Sequence, residues 1–327
     1  METQEIRNEV RHVCSFIGFS LCLLFVLTQL LGMAINLFSD YLASYRVMGI
    51  GAEIYKILNS DWFSTAGANL LIYAVTLPAL KLVLHHVPEA KAEPKKMRVQ
   101  KILLFFVLSM GTGYVFNMLG NFINLLLSGV TGRNILDMTP ITDMLDGMHW
   151  TAAIYIGMIG PIIEEYIFRG LILNRMRPYG ERAAIIFSAV LFGLLHGNVS
   201  QFFYATAIGI IFGYVAAKTG RILYSSILHI MVNSYSVILT FTVFSDSFSQ
   251  GFISILGSLF ISGVSFILIA AAIAIFIANR KKTRLGRGNL PSGVEYRDFS
   301  SAMFVNPGVI ILAILCFALI LFYIFLA

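Results

Sequence analysis

The chain has 327 residues, 58% of them hydrophobic and 12% charged, with a formal net charge of +6. Soluble domains carry about 25% charged residues. Half that share, a mean hydropathy of +0.82 and repeated apolar runs of about 20 residues exclude an ordinary soluble fold and point to an all-α, polytopic membrane protein.

The first apolar run covers 13–38, behind Arg7 and Arg11. It is too long for a signal-peptide core and lacks a clear cleavage site, so it reads as a retained helix. A nearly neutral loop with Asp40, Arg46, Glu53, Lys56 and Asp61 leads to a second helix over 62–84. The next loop holds Lys91, Lys95, Lys96, Arg98 and Lys101, and Pro88 and Pro94 oppose any helix there. The positive-inside rule puts it in the cytoplasm. Helix three covers 102–127, and its exit loop, with Arg133, Asp137, Asp143 and Asp146, falls on the other side. Helix four runs 148–174 and leaves through Asn174, Arg175 and Arg177. Helices five, six and seven cover 182–197, 201–217 and 222–243, with Lys218 and Arg221 in the turn between the last two. Helix eight covers 251–278 and ends on a basic run from Arg280 to Arg287; helix nine covers 305–326.

This pattern gives about eight or nine transmembrane helices, with a cytoplasmic N-terminus and an outside C-terminus. The expected location is a bacterial plasma membrane. Membrane lipids are expected partners, and nucleic acid is not, because the basic residues sit in short loops between apolar runs. The chain divides into N-terminal helices and loops over 1–147, a helical core over 148–243 and C-terminal helices over 244–327. Gly193/Gly197 and Gly209/Gly213 would let helices five and six approach closely. Cys14, Cys22 and Cys316 all fall in apolar segments and read as buried hydrophobes. His12, His85, His86 and His149 sit at loops or helix ends and read as interfacial.

Helix four carries two carboxylates and a guanidinium in Gly160-Pro161-Ile162-Ile163-Glu164-Glu165-Tyr166-Ile167-Phe168-Arg169. A charge near the middle of a bilayer costs about 2.5–3.5 kcal/mol on insertion scales, so such groups are expected to face a protein interior or a wet cavity. Glu164 and Glu165 point about 100° apart and cannot share a role. Arg169 lies four residues after Glu165, on the same face. That assigns Glu165 and Arg169 to an orienting pair and leaves Glu164 as the reactive carboxylate. His196, His229 and Asn233 fall at a similar depth. A rise of about 1.5 Å per residue puts Glu164 about 15 Å, His196 about 21 Å, His229 about 10 Å and Asn233 about 16 Å from the cytoplasmic ends of their helices. All four lie in one layer of a hydrocarbon core about 30 Å thick.

A carboxylate, two imidazoles and an amide at one level suit amide hydrolysis. The carboxylate takes a proton from water, a histidine assists the leaving amine, and Asn233 with a histidine stabilises the oxyanion. Glu164, His196 and His229 would equally supply a Zn²⁺ ion with two His and one Glu, although no His-Glu-x-x-His pair is present. Phe192 reads as packing beside His196.

Glu-Glu-x-x-x-Arg at Glu164–Arg169, Phe-x-x-x-His at Phe192–His196 and His-x-x-x-Asn at His229–Asn233 together resemble the CPBP family of intramembrane proteases. That family includes the CAAX prenyl endopeptidases and the bacterial Abi proteins. The resemblance covers helices four to seven, without departure from the motifs, and implies a CAAX-protease-like helical core acting on a peptide or lipid-anchored protein. It implies that Glu164 activates water, that His196 and His229 complete the site and that Asn233 forms the oxyanion hole. Both a metalloprotease and a metal-free glutamate mechanism are argued for the family. A second reading is a non-catalytic membrane protein that binds a sensor or a bacteriocin-like peptide, for which Glu164→Gln would leave function intact. A third, a proton-coupled transporter, would favour a second carboxylate-bearing half, and no internal repeat is visible.

Overall fold

The computed structural model describes residues 2–44, 48–135, 150–243, 252–281 and 285–325, which are helical with no strand among them. The helices are α1 (Glu2–Ser44), α2 (Ile50–Leu58), α3 (Ala68–Leu84, entered through a π turn, Phe63–Gly67) and α4 (Val99–Thr131). After them come α5 (150–176, α-helix interrupted by two π segments), α6 (Glu181–Leu194), α7 (Val199–Thr219), α8 (Ile222–Val243), α9 (Phe252–Asn279), α10 (Tyr296–Phe304) and α11 (Pro307–Phe325). All nine helices expected from the sequence are present. Seven are long and apolar enough to cross a membrane. The other two are α5, whose 27 residues span about 40 Å at 1.5 Å each, and α6. The 14 residues of α6 span only about 21 Å. The chain is a multi-pass membrane protein. Asp137, Asp143, Asp146, His149, Lys282 and Arg284 lie outside the described residues.

Three boundaries differ from expectation, each for a local reason. First, α1 begins within the polar N-terminus because Val10, Cys14, Ile17 and Leu21 form one fully buried stripe at helical spacing. Second, α10 lies in the stretch between the expected helices eight and nine. It opens on a capping box between Glu295 and Asp298 and buries Phe299, Ala302 and Met303 against α1. Third, α6 stops at Leu194 rather than running to 197. The His196 N–H reaches back to Gly193 and that of Gly197 to Leu194, a tightening typical of helix ends. Gly197 then turns the chain at φ +66°, and its close contact is with Leu319 of α11, 2.8 Å from where a Cβ would stand. α2 was read as loop; it buries none of its residues.

Two buried clusters frame the middle of the molecule. One joins α1, α5, α6, α10 and α11 through residues such as Leu21, Phe168, Phe187, Phe299 and Leu312. The other joins α4, α7 and α8 through Met110, Ile208, Phe212, Val215, Leu228 and Val232. The three cysteines are buried free thiols. His12, His85 and His86 are exposed.

The α6–α7 pair is held close by glycine. A Cβ on Gly193 would collide with Thr206 Oγ1 and stand 2.7 Å from the Phe202 carbonyl. A Cβ on Gly209 would meet Arg169 and Phe192, each at 3.1 Å. On Gly213 the nearest atom, on Ile185, would be 3.4 Å away. Gly193→Ala is therefore expected to lower stability by about 1–3 kcal/mol through overpacking, whereas Gly213→Ala stays near wild type. Thermal unfolding of the two variants in the same detergent compares them directly.

Candidate active site

The site is built where α5 departs from α-helical geometry. A π segment, Tyr155–Ile159, precedes Gly160. Pro161 has no N–H to give to the carbonyl of Gly157, four residues back, or of Ile156, five back. Donors from α8 reach both carbonyls: Asn233 Nδ2 donates to the Ile156 oxygen at 3.0 Å and Ser234 Oγ to the Gly157 oxygen at 3.2 Å. The proline thus opens the ladder, and α8 docks onto the opening. This holds the His229–Asn233 turn against the Glu164–Glu165 turn.

Glu165 and Arg169 form an ion pair at 2.7 Å with both side chains fully buried. The guanidinium also donates to the Gly209 carbonyl at 3.1 Å. Around it stand the rings of Phe192, Phe212 and Phe168, with centroids 4.5, 5.6 and 6.0 Å from the guanidinium carbon, a cation–π cage. Glu164 points elsewhere, its side chain 31% exposed, and lines a cavity.

His229 lies between the two carboxylates. Its Nδ1 is 3.2 Å from Glu165 Oε1 and its Nε2 is 3.6 Å from Glu164 Oε2. Glu165, ionised against Arg169, can only accept, so Nδ1 carries the proton and Nε2 is presented to Glu164. The sequence reading treated Glu165 as a partner of Arg169 alone. The structure adds that it orients His229, a role that adjacency on one helix could not reveal.

His196 stands just past the end of α6. Its Nδ1 is 2.7 Å from the Phe192 carbonyl, which the backbone N–H of His196 leaves free by turning to Gly193. A carbonyl only accepts, so this Nδ1 is the donor and Nε2 is free for the cavity. Phe192 packs edge-on against both imidazoles, with centroids 4.8 Å from His196 and 5.6 Å from His229. Together with its place over Arg169, this makes Phe192 the packing hub of the site.

Glu164, His196, His229 and Asn233 line one cavity of about 440 Å³. The cavity is bounded by α4, α5, α6, α7 and α8. One N–H of Asn233 is spent on Ile156, and the other is available. Among the described residues, no three His, Cys, Asp or Glu side chains are placed to hold a metal ion. No step below runs through a metal. Ser109, Gly113 and Asn117 of α4 also line this cavity, which the motifs do not foretell. Their four-residue spacing within an apolar helix was the available signal.

Comparison with known proteins finds two likenesses. Residues 146–235 match the family model described as type II CAAX prenyl endopeptidase Rce1-like. The chain is also 28% identical over 145 residues to the "Putative membrane peptidase YdiL" of Bacillus subtilis (strain 168), a match covering 40% of this chain and 58% of that relative. No solved structure matches. The matched segment contains every residue of the Glu-Glu-x-x-x-Arg, Phe-x-x-x-His and His-x-x-x-Asn motifs, so the likeness to the Rce1-like family lies in this core.

Proposed function

We propose that the protein is an intramembrane endopeptidase that hydrolyses a peptide bond of a membrane-associated peptide or lipid-anchored protein. The observation that carries this reading is the convergence of Glu164, His196, His229 and Asn233 on one cavity, with His229 held between Glu164 and the buried Glu165. A water molecule beside Glu164 loses a proton to the carboxylate and attacks the scissile carbonyl carbon. The resulting oxyanion faces the Asn233 N–H that Ile156 leaves free. As the C–N bond breaks, the proton held by Glu164 passes to the leaving amine, and Nε2 of His229, 3.6 Å away, can relay it. His196 presents its free Nε2 to the same space and orients the water or the carbonyl. Phe192 keeps both imidazoles in place, and Glu165 with Arg169 sets the orientation of His229.

The basic loops support a cytoplasmic N-terminus, and the Bacillus relative supports a bacterial plasma membrane. The test compares peptides released from membranes holding equal amounts of wild-type protein and of Glu164→Gln. Peptides that depend on wild type establish proteolysis and identify the cleavage site. Identical profiles, with the physiological phenotype kept by Glu164→Gln, would overturn the protease reading and favour a non-catalytic binding protein.

A further inference from the structure

Among the described residues, the cavity leaves the reactive layer in one direction. Its lining on α4 starts at Ser109 and ends at Asn117. On α5 it runs from Glu164 back to Tyr155, and on α8 from His229 on to Leu239. On α6 it runs from Phe192 to His196, and on α7 from Ile208 back to Gln201. All five steps lead away from the end of the bundle that holds the starts of α4, α6 and α8 and the close of α5 and α7. The backbone ties that end together. The Ala90 N–H, in the loop before α4, donates to the Asn174 carbonyl at 2.9 Å, and that of Lys95 to the Thr219 carbonyl at 2.7 Å. Tyr155 lies nine residues from Glu164 and Leu239 ten from His229, so the cavity reaches about 13–15 Å from the layer.

The tied end is filled. Phe105, Phe212, Val215 and Leu228 pack between α4, α7 and α8, and the caged guanidinium of Arg169 joins α5 to Gly209 of α7. A second strap closes on the turn between α5 and α6. There the Glu181 N–H donates to the Gly286 carbonyl at 2.9 Å and that of Asn289 to the Pro178 carbonyl at 2.7 Å. An interior packed in this way offers no path for a polypeptide. The same end carries Lys91, Lys96, Lys101, Arg177, Lys218 and Arg221, which the positive-inside rule assigns to the cytoplasm.

We infer that the substrate reaches Glu164 from the extracytoplasmic side, as a polypeptide segment exposed at or embedded in the outer half of the membrane. This rests on the protease reading above and names the substrate class of the same site. The cavity suits such an entry. An extended peptide at membrane depth needs partners for its N–H and C=O groups, and Asn117, Gln201, Tyr204 and Ser236 lie toward the far end of the cavity.

The test uses the full-length protein in membrane vesicles and single introduced cysteines. Cys14, Cys22 and Cys316 are buried, and wild-type protein measures any reaction of theirs. A charged, membrane-impermeant methanethiosulfonate is added to right-side-out and to inside-out vesicles. Ser236→Cys and Gln201→Cys, on two different helices in case one variant fails to fold, should react only in right-side-out vesicles. Lys56 and Lys91 are exposed and report the orientation itself: Lys56→Cys should react from outside and Lys91→Cys from the cytoplasmic side. Outside modification of Ser236→Cys should abolish cleavage of a pool of internally quenched peptides of mixed sequence, and reduction should restore it, with Glu164→Gln vesicles giving the background. Reaction of both cavity cysteines from the cytoplasmic side, or from neither side, would overturn the inference, as would reaction of Lys91→Cys from outside. Cleavage of the pool by inside-out vesicles alone would overturn it and leave the protease reading intact. Outside reaction of the cavity cysteines without cleavage of any peptide would uphold the entry route and sink the protease reading instead, so the two failures are distinguishable.

Discussion

Glu164→Gln is expected to lower peptide cleavage by about 10²–10⁴-fold, the usual contribution of a positioned general base, with little change in stability. The two halves of that statement have separate causes. Glutamine keeps the size of the side chain but cannot take a proton from water, so the nucleophile is not generated. Stability is spared because Glu164 sits at the cavity, 31% exposed, with Nε2 of His229 3.6 Å away. It is not part of the buried ion pair. Turnover of the quenched peptide pool, read beside thermal unfolding in the same detergent, separates the two. A collapse in stability at Glu164→Gln would mean that the carboxylate serves the fold, and it would remove the reason for calling it reactive.

Arg169→Met is expected to do the reverse of this at the level of stability. Arg169 and Glu165 are both fully buried and meet at 2.7 Å. Removing the guanidinium leaves the Glu165 carboxylate buried and uncompensated, at a cost of about 3–5 kcal/mol. The cation–π contacts to Phe192 and Phe212 are lost as well. Replacing both partners, as in Glu165→Leu with Arg169→Met, should recover much of the stability, because a well-packed apolar pair often matches a buried ion pair. It should not recover activity, since Nδ1 of His229 then has no acceptor and its tautomer and orientation are no longer set. Unfolding and turnover of the single and double variants check this. Recovery of turnover by the double variant would contradict the orienting role of Glu165.

The sequence was informative wherever a local rule carried the signal. Runs of apolar residues located the nine long helices, because a bilayer leaves backbone groups no partner but their own helix. The i,i+4 spacing of Glu165 and Arg169 foretold their pairing, and the different direction of Glu164, about 100° away, followed from the helical repeat. A shared depth brought Glu164, His196, His229 and Asn233 into one hypothesis, and the fold places all four on one cavity. The two short helices were not read as helices. α10 had a legible start in Glu295 and Asp298, but nine residues are below the length at which periodicity speaks clearly.

What the sequence determined by itself, then, was composition-driven: a multi-pass helical chain, the motif residues and which of two adjacent carboxylates faces the core. What only the tertiary structure decided was everything that depends on which helix lies beside which. Asn233 could pair with any neighbour until the carbonyls left without an N–H by Pro161 were found beside it. His229 had no visible reason to bridge two carboxylates until α8 was docked on α5. The α4 residues that line the cavity lie more than 45 residues before Glu164 in the chain, and only their four-residue spacing hinted at a shared face. Spacing within a helix fixes which side chains share a face, whereas contacts between helices are set by shape and by where glycines allow close approach, and those are decided only when the whole chain is packed.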